Sequence, residues 1–169
     1  MGVIVGLFAG PALGNPEGHS MPKRARASAS LSTMGLEGDV NRYRFERRDG
    51  DLDMALVLLT SDDLEHLRAC GHDLGPGDIG ENVLLAGIDP EMLGPGVRLG
   101  LGGVKVQVSR ICDPCESLAT LPQIGRQGLA SLLRDSLGHR GWYARALTSG
   151  VIRLGDEACI VDRCPAGSR

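Results

Sequence analysis

The chain predicts a mainly β, single-domain fold, a barrel or a sandwich carrying two or three short helices, and three observations lead there. Glycine accounts for 25 of the 169 residues, roughly twice ordinary usage, and glycine at that density makes many tight turns. The apolar runs are short and end in turn residues instead of continuing at helical spacing. One segment alternates strictly between apolar and polar residues, the signature of a half-buried strand. A chain of this length falls within the usual one-domain range of about 100–200 residues and needs no disulfide or metal staple to hold a core.

Taken in order, residues 3–9 read as a buried strand closed by the turn residues Gly10, Pro11, Gly14, Asn15, Pro16 and Gly18. A loop-rich stretch follows, with a short strand expected at 28–32. Residues 54–59 (MALVLL) form a continuous apolar run of central-strand length. It runs into Thr60, Ser61, Asp62 and Asp63, an N-cap cluster with two acids in the first turn of a helix. Leu64, Leu67 and Cys70 share one face of that helix, and Gly71 ends it.

After a sharp turn at 75–78, a strand is expected at 81–85. Val104, Val106 and Val108 then alternate with Lys105, Gln107 and Ser109, which is the alternating segment noted above. A second helix is expected over 127–137, where Leu129, Leu132, Leu133 and Leu137 share a face and Gly138 supplies the break. Residues 151–154 and 158–161 flank Gly155 and Asp156, a two-residue hairpin signal. The domain is expected to span 3–161, with 162–169 a flexible tail.

Composition limits function. A net charge of −3 and only five aromatic residues (one Trp, two Tyr, two Phe) argue against a nucleic-acid partner, through lack of both a basic footprint and stacking platforms. The basic runs Lys23, Arg24, Arg26 and Arg42, Arg44, Arg47, Arg48 read as solvated surface, the second balanced by Glu46, Asp49, Asp51 and Asp53. The alternative is that one or two of these cations line an anion pocket. No apolar stretch reaches the ~18 residues of a membrane span. The first basic residue is Lys23, so the apolar N-terminus lacks the basic flank of a signal peptide. Five cysteines in such a chain are expected to be free thiols in a reducing cytoplasm.

Chemistry concentrates after the alternating strand, at Arg110, Cys112, Pro114 and Cys115. A cysteine leaving a strand end beside an arginine has the nearby cation and the access that a reactive thiolate needs. Four readings stand side by side. Cys112 and Cys115 could cycle as a redox couple, although no βαβ frame surrounds them. They could form half of a zinc site with Cys159 and Cys164, whose spacing is wrong for a second knuckle. They could be two small buried thiols. Or one cysteine could serve as a soft metal ligand or sulfur acceptor. His19, His66, His72 and His139 fit no ligand template. Gly100, Gly102 and Gly103 open no helix and read as a hairpin turn instead of a phosphate loop.

The order of the short motifs adds more than any one of them. Gly35, Leu36, Glu37, Gly38 and Asp39 come first, then the strand and helix beginning near residue 55. Gly77, Asp78, Gly80, Glu81 and Asn82 follow, then Leu93, Gly96, and Pro114 with Cys115. Gly141, Trp142, Tyr143 and Arg145 precede a final Gly150, Gly155 and Asp156. This series resembles the MOSC domain, named for the C-terminal domain of molybdenum cofactor sulfurases, in its stand-alone bacterial form, over residues 3–161.

The resemblance implies a β-barrel and a molybdenum–pterin cofactor or its sulfur as the ligand. It implies Cys115 as the family cysteine, either a metal ligand or a sulfur carrier. Glu81 and Asn82 match a segment near the cofactor pocket, and Lys23 and Arg110 are candidates for the pterin phosphate. A sulfur carrier would depend on a separate pyridoxal-phosphate desulfurase. A reductase of N-hydroxylated compounds would depend on an electron-transfer partner, and a binding module would keep the fold without the cofactor. Cys112 is an extra thiol, either a reversible protector of Cys115 or without a role. The Gly-Asp pairs ending at Asp39, Asp78 and Asp156 are read as turn chemistry.

Overall fold

The structure, a computed structural model, describes residues 1–10 and 21–161. Its strands are β1 (Gly2–Ala9), β2 (Arg24–Ala25), β3 (Ser28–Ser32), β4 (Gly35–Leu36), β5 (Leu56–Thr60), β6 (Val83–Ala86), β7 (Arg98–Leu101), β8 (Val104–Ile111), β9 (Trp142–Ala146), β10 (Gly150–Arg153) and β11 (Glu157–Ile160). Three α-helices interrupt them: α1 (Arg42–Arg47), α2 (Ser61–Ala69) and α3 (Gly125–Asp135). Strands β11, β7, β8, β9, β5, β6 and β1 hydrogen-bond in that order, and β1 pairs with β11 to close a seven-stranded barrel. Strand β2 extends β1, while β10, β3 and β4 form a separate small sheet.

All barrel pairings are antiparallel except β5 with β6, which are parallel and joined through α2. Parallel neighbours need such a crossover, and it covers the outer face of the barrel there. Strand β5 is therefore buried along its whole length. Leu56 and Leu58 point into the barrel with Ile4, Val83, Leu85, Leu99, Val106 and Val108. Leu59 points outward into a second core with Leu64 and Leu67 of α2, Leu132 of α3, and Leu118 and Leu121. Each such leucine contributes on the order of 1.5–3 kcal/mol by leaving water, so two cores on opposite faces of one strand fix its register.

The N-cap expected at Thr60 is present: its hydroxyl accepts from the Asp63 N–H at 3.1 Å and donates to the Asp63 carboxylate at 2.7 Å. The turn at Gly102 and Gly103 joins β7 to β8 as a hairpin.

Four local expectations are corrected. Residues 151–154 and 158–161 do not form a hairpin, because β10 pairs with β3 and β11 pairs with β7 and β1. The turn at Gly155 and Asp156 instead carries the chain from one sheet to another, its backbone tied to Ile4. Helix α3 starts and stops two residues earlier than expected, which leaves Leu137 exposed beyond its end. Cys70 caps α2 on the solvent side, off the buried face. Cys159 is disulfide-bonded, so the thiols are not all free; among the described residues Cys70, Cys112 and Cys115 are. The tail at 162–169, and with it Cys164, lies outside the described residues.

Helix α1 was not expected at all. Asn41 caps it by accepting from the Arg44 N–H at 3.1 Å, and its root is held by the buried Arg44. That guanidinium donates to the carbonyls of Gly50, Asp51 and Met34. The solvated-surface reading of this basic run thus fails for Arg44, which folds the loop around itself.

Candidate functional site

One cavity of about 640 Å³ opens between α1, the segment at Met21 and Lys23, the end of β8 and the start of β9. That is the size of a small-molecule or cofactor site. Six cationic side chains line it, those of Lys23, Arg42, Arg47, Arg48, Arg110 and Arg140, against the two acids Glu46 and Asp113. The anion-pocket alternative for the basic runs therefore describes this face.

Several of these cations are held in place. Lys23 Nζ lies 3.0 Å from Asp39 Oδ2, with both side chains almost fully buried. Asp39 also accepts from the Gly10 N–H at 2.7 Å, so this Asp does more than cap its own turn. Asp78 and Asp156 do behave as turn residues, accepting from the Gly75 and Arg153 N–H groups. Arg110 pairs with Asp51 at 2.8 Å and lies over the Tyr143 ring. The Asp53 N–H and then Arg110 hold the Asp51 carboxyl below its ordinary range. Arg48 lies over the Tyr43 ring. Both tyrosines of the chain thus line this cavity beneath a guanidinium, an arrangement that offers flat faces and positive charge together.

Cys115 is exposed, lines the cavity, and begins the short 3₁₀ turn Glu116–Thr120. Its sulfur lies 3.2 Å from the Ser117 hydroxyl. Cys112 directly follows β8 and is buried, its N–H donating to the Gly141 carbonyl at 2.9 Å. Its sulfur accepts from Arg140 Nη1 at 2.8 Å.

Arg140 is the residue that sequence reasoning missed. It reads as a polar turn residue before Gly141, yet it is buried in the cavity wall, and its Nε has no partner. Gly141 puts it there. At φ +86° a Cβ would stand 2.2 Å from the Leu58 carbonyl oxygen, so only glycine lets β9 start this close to β5. Burial works against the Arg140 charge, but Cys112, Cys115, Tyr143 and Glu81 outweigh it and raise its pKa. Burial, and then Cys112 beside it, push the Tyr143 phenol up, so that hydroxyl stays protonated.

Glu81 and Asn82 lie behind the wall that Gly80 forms, and neither lines the cavity. Asn82 ties three strands together: its Oδ1 accepts from the Val57 N–H at 2.9 Å and its Nδ2 donates to the Phe8 carbonyl at 3.1 Å. Glu81 Oε1 accepts from the Gly77 N–H at 2.5 Å, while Oε2 is buried without a partner. Burial raises the Glu81 pKa against the pull of Gly77, its own N–H, Lys23 and Arg140. Among the described residues, no three His, Cys, Asp or Glu side chains assemble around a metal position. The zinc reading therefore finds no ligand set there.

The family model of the MOSC domain matches residues 45–158, most of the chain. The chain belongs to the MOSC family. No curated protein matches this MOSC chain. Its barrel is shared with solved structures that show the fold. The YUAD protein from Bacillus subtilis is 17% identical with a TM-score of 0.74, the alignment covering 94% of each chain. YiiM from Geobacillus stearothermophilus is 24% identical with a TM-score of 0.70, covering 98% of this chain and 78% of that one. YiiM from Escherichia coli is 21% identical with a TM-score of 0.67, covering 97% and 71%. The MOSC match also spans the cysteine pair, Arg47, Arg48, Arg110 and Arg140, so the cavity's thiols and four of its six cations fall inside the family domain.

Proposed function

We propose that this MOSC domain binds the molybdenum–pterin cofactor in the cationic cavity, with Cys115 as the sulfur that meets the metal. The carrying observation is that six cationic side chains and an exposed thiol converge on a single hollow of about 640 Å³. The donor set suits such a group. A phosphorylated pterin needs cations for its phosphate and flat faces for its rings, and a thiolate suits a soft or high-valent metal. Lys23, Arg47 and Arg48 would hold the phosphate, Arg110 with Tyr143 would flank the pterin, and Cys115 would reach the metal. Glu81 and Asn82 support this role from behind, by holding the Gly80 wall against β1 and β5.

When bound, the cofactor supplies two-electron oxygen- or sulfur-transfer chemistry. The protein's own part is to bind and orient it. Lys23 and Arg110 are pre-paired with Asp39 and Asp51, so their positions are set before a ligand arrives. The protonated Tyr143 hydroxyl offers a hydrogen-bond donor beside the thiols.

Exposure of Cys115 also favours a second reading, in which it carries sulfur as a persulfide received from a separate cysteine desulfurase. Elemental analysis of protein from a molybdate-fed host tests the first reading. Stoichiometric molybdenum in the wild type and its loss in Cys115→Ala are expected. Equal metal in both overturns Cys115 as the ligand, and no metal in either leaves a cofactor-free binding module. Mass spectrometry of Cys115 after incubation with a desulfurase tests the second, and an unmodified thiol overturns it.

A further inference from the structure

We propose that Cys112 and Cys115 are a dithiol–disulfide couple in which Cys115 takes oxygen from a peroxide and Cys112 closes the bond, with Arg140 as the positioning residue. The two sulfurs divide the work by their surroundings. Cys115 is exposed in a loop and open to a small oxidant, whereas Cys112 is 1% exposed and anchored through its N–H to Gly141. Both line the same cavity, with only Asp113 and Pro114 between them.

The decisive contact is on the buried sulfur. A cysteine that only fills space sits among aliphatic side chains, but Cys112 receives an arginine N–H at 2.8 Å. Arg140 is itself nine-tenths buried, its other hydrogen bond runs to the Met21 sulfur at 3.5 Å, and its Nε is unpartnered. A guanidinium taken out of water and hydrogen-bonded to no carboxylate is a costly arrangement. Its one close partner is the sulfur that makes the attack, and an N–H aimed at that sulfur stabilises the thiolate, the form that is the nucleophile.

The chemistry balances. Cys115 Sγ attacks a peroxide oxygen; the S–O bond forms, the O–O bond breaks, and two electrons pass from sulfur to the peroxide, which leaves as water or an alcohol. Cys112 Sγ then attacks Cys115 Sγ; the S–S bond forms, the S–O bond breaks, and the hydroxyl leaves as water with the remaining proton. Two thiols and one peroxide become one disulfide, one alcohol or water, and one further water. A dithiol reductant returns both electrons. The couple stands whether or not the cavity takes the cofactor, because neither step uses a metal. If the cofactor does bind, the disulfide removes the Cys115 thiol from it.

The test treats the full-length protein with hydrogen peroxide, blocks residual thiols with N-ethylmaleimide under denaturing conditions, and reads the 112–115 peptide by mass spectrometry. Loss of two hydrogens with no maleimide on either cysteine is expected, and dithiothreitol should restore both thiols. In Cys112→Ser, Cys115 should stop as a sulfenic acid that dimedone captures. In Arg140→Met, bridge formation should slow by about tenfold, with Arg140→Lys recovering part of the rate because it keeps the charge. Cys115 running on to sulfinic acid in the wild type while Cys112 still takes maleimide overturns the couple. A bridge that forms equally fast in Arg140→Met overturns the role of Arg140. Molybdenum content, measured on the same samples, reports on the cofactor separately.

Discussion

Arg44 and Arg140 are both buried guanidiniums, one at the root of α1 and one in the cavity wall, and their partners are opposite in kind. Arg44 donates to three backbone carbonyls, so its charge is spread over groups that need donors anyway. Arg140 has two sulfurs and an unpartnered Nε. The first arrangement is how a fold keeps a loop in place. The second leaves hydrogen-bonding capacity unmet in the interior, which is tolerated where something other than stability selects it. Burial alone therefore does not separate a structural arginine from a functional one; the partners do.

The largest effect expected from breaking that contrast is on Arg44. Replacing it by alanine removes the guanidinium from three carbonyls, of which only that of Asp51 keeps another donor, the Met54 N–H, and should lower stability by about 3 kcal/mol, seen as a fall in the urea midpoint at constant m-value. Because α1 carries Arg42, Arg47 and Arg48 to the cavity, binding of an anionic ligand there should weaken with it. Arg140→Met should change stability by no more than about 1 kcal/mol, since an apolar chain of similar length removes a buried charge that is hydrogen-bonded to no carboxylate. A loss as large as that of Arg44→Ala would erase the distinction between the two.

The smallest effect sharpens the comparison from the acidic side. Glu81 is the buried carboxylate whose Oε2 is unpartnered, as Arg140 Nε is. Its pKa is raised in the folded state, so the folded protein holds the proton more tightly than the unfolded chain does. Stability from this group is thus complete below the ordinary value of 4.5 and is lost as pH rises toward the raised value. Glu81→Gln keeps the acceptor for the Gly77 N–H and should flatten that fall. Unfolding titrations across this range check it, and an unchanged slope would show that another group carries the dependence.

How much of this was legible in the sequence follows from the range of each interaction. The alternation of Val104, Val106 and Val108 and the cap at Thr60 are set by near neighbours, and both appear where the residues place them. The barrel follows from the glycine turns, and the family from the motif order that includes Cys115. Helix α1 was illegible because its six residues, RYRFER, carry no apolar stripe, and its support is Arg44 reaching back to Met34. The turn at Gly155 and Asp156 fits a hairpin equally well, and only pairing with β3, more than 100 residues away, decides otherwise. Arg140 has no local signal, since its burial depends on the Leu58 backbone passing beside Gly141. Lys23 and Arg110 were legible as cations, but their pairing with Asp39 and Asp51 was not.

The seam that joins Gly2 and Val3 to Ala158 and Glu157 has a consequence for biosynthesis. A nascent chain cannot complete the ring until its first strand has waited for the last to leave the ribosome. That long-range closure makes folding intrinsically slow, and β1 stays an open edge throughout translation. A bulky N-terminal fusion should therefore harm yield more than the same fusion at the other end.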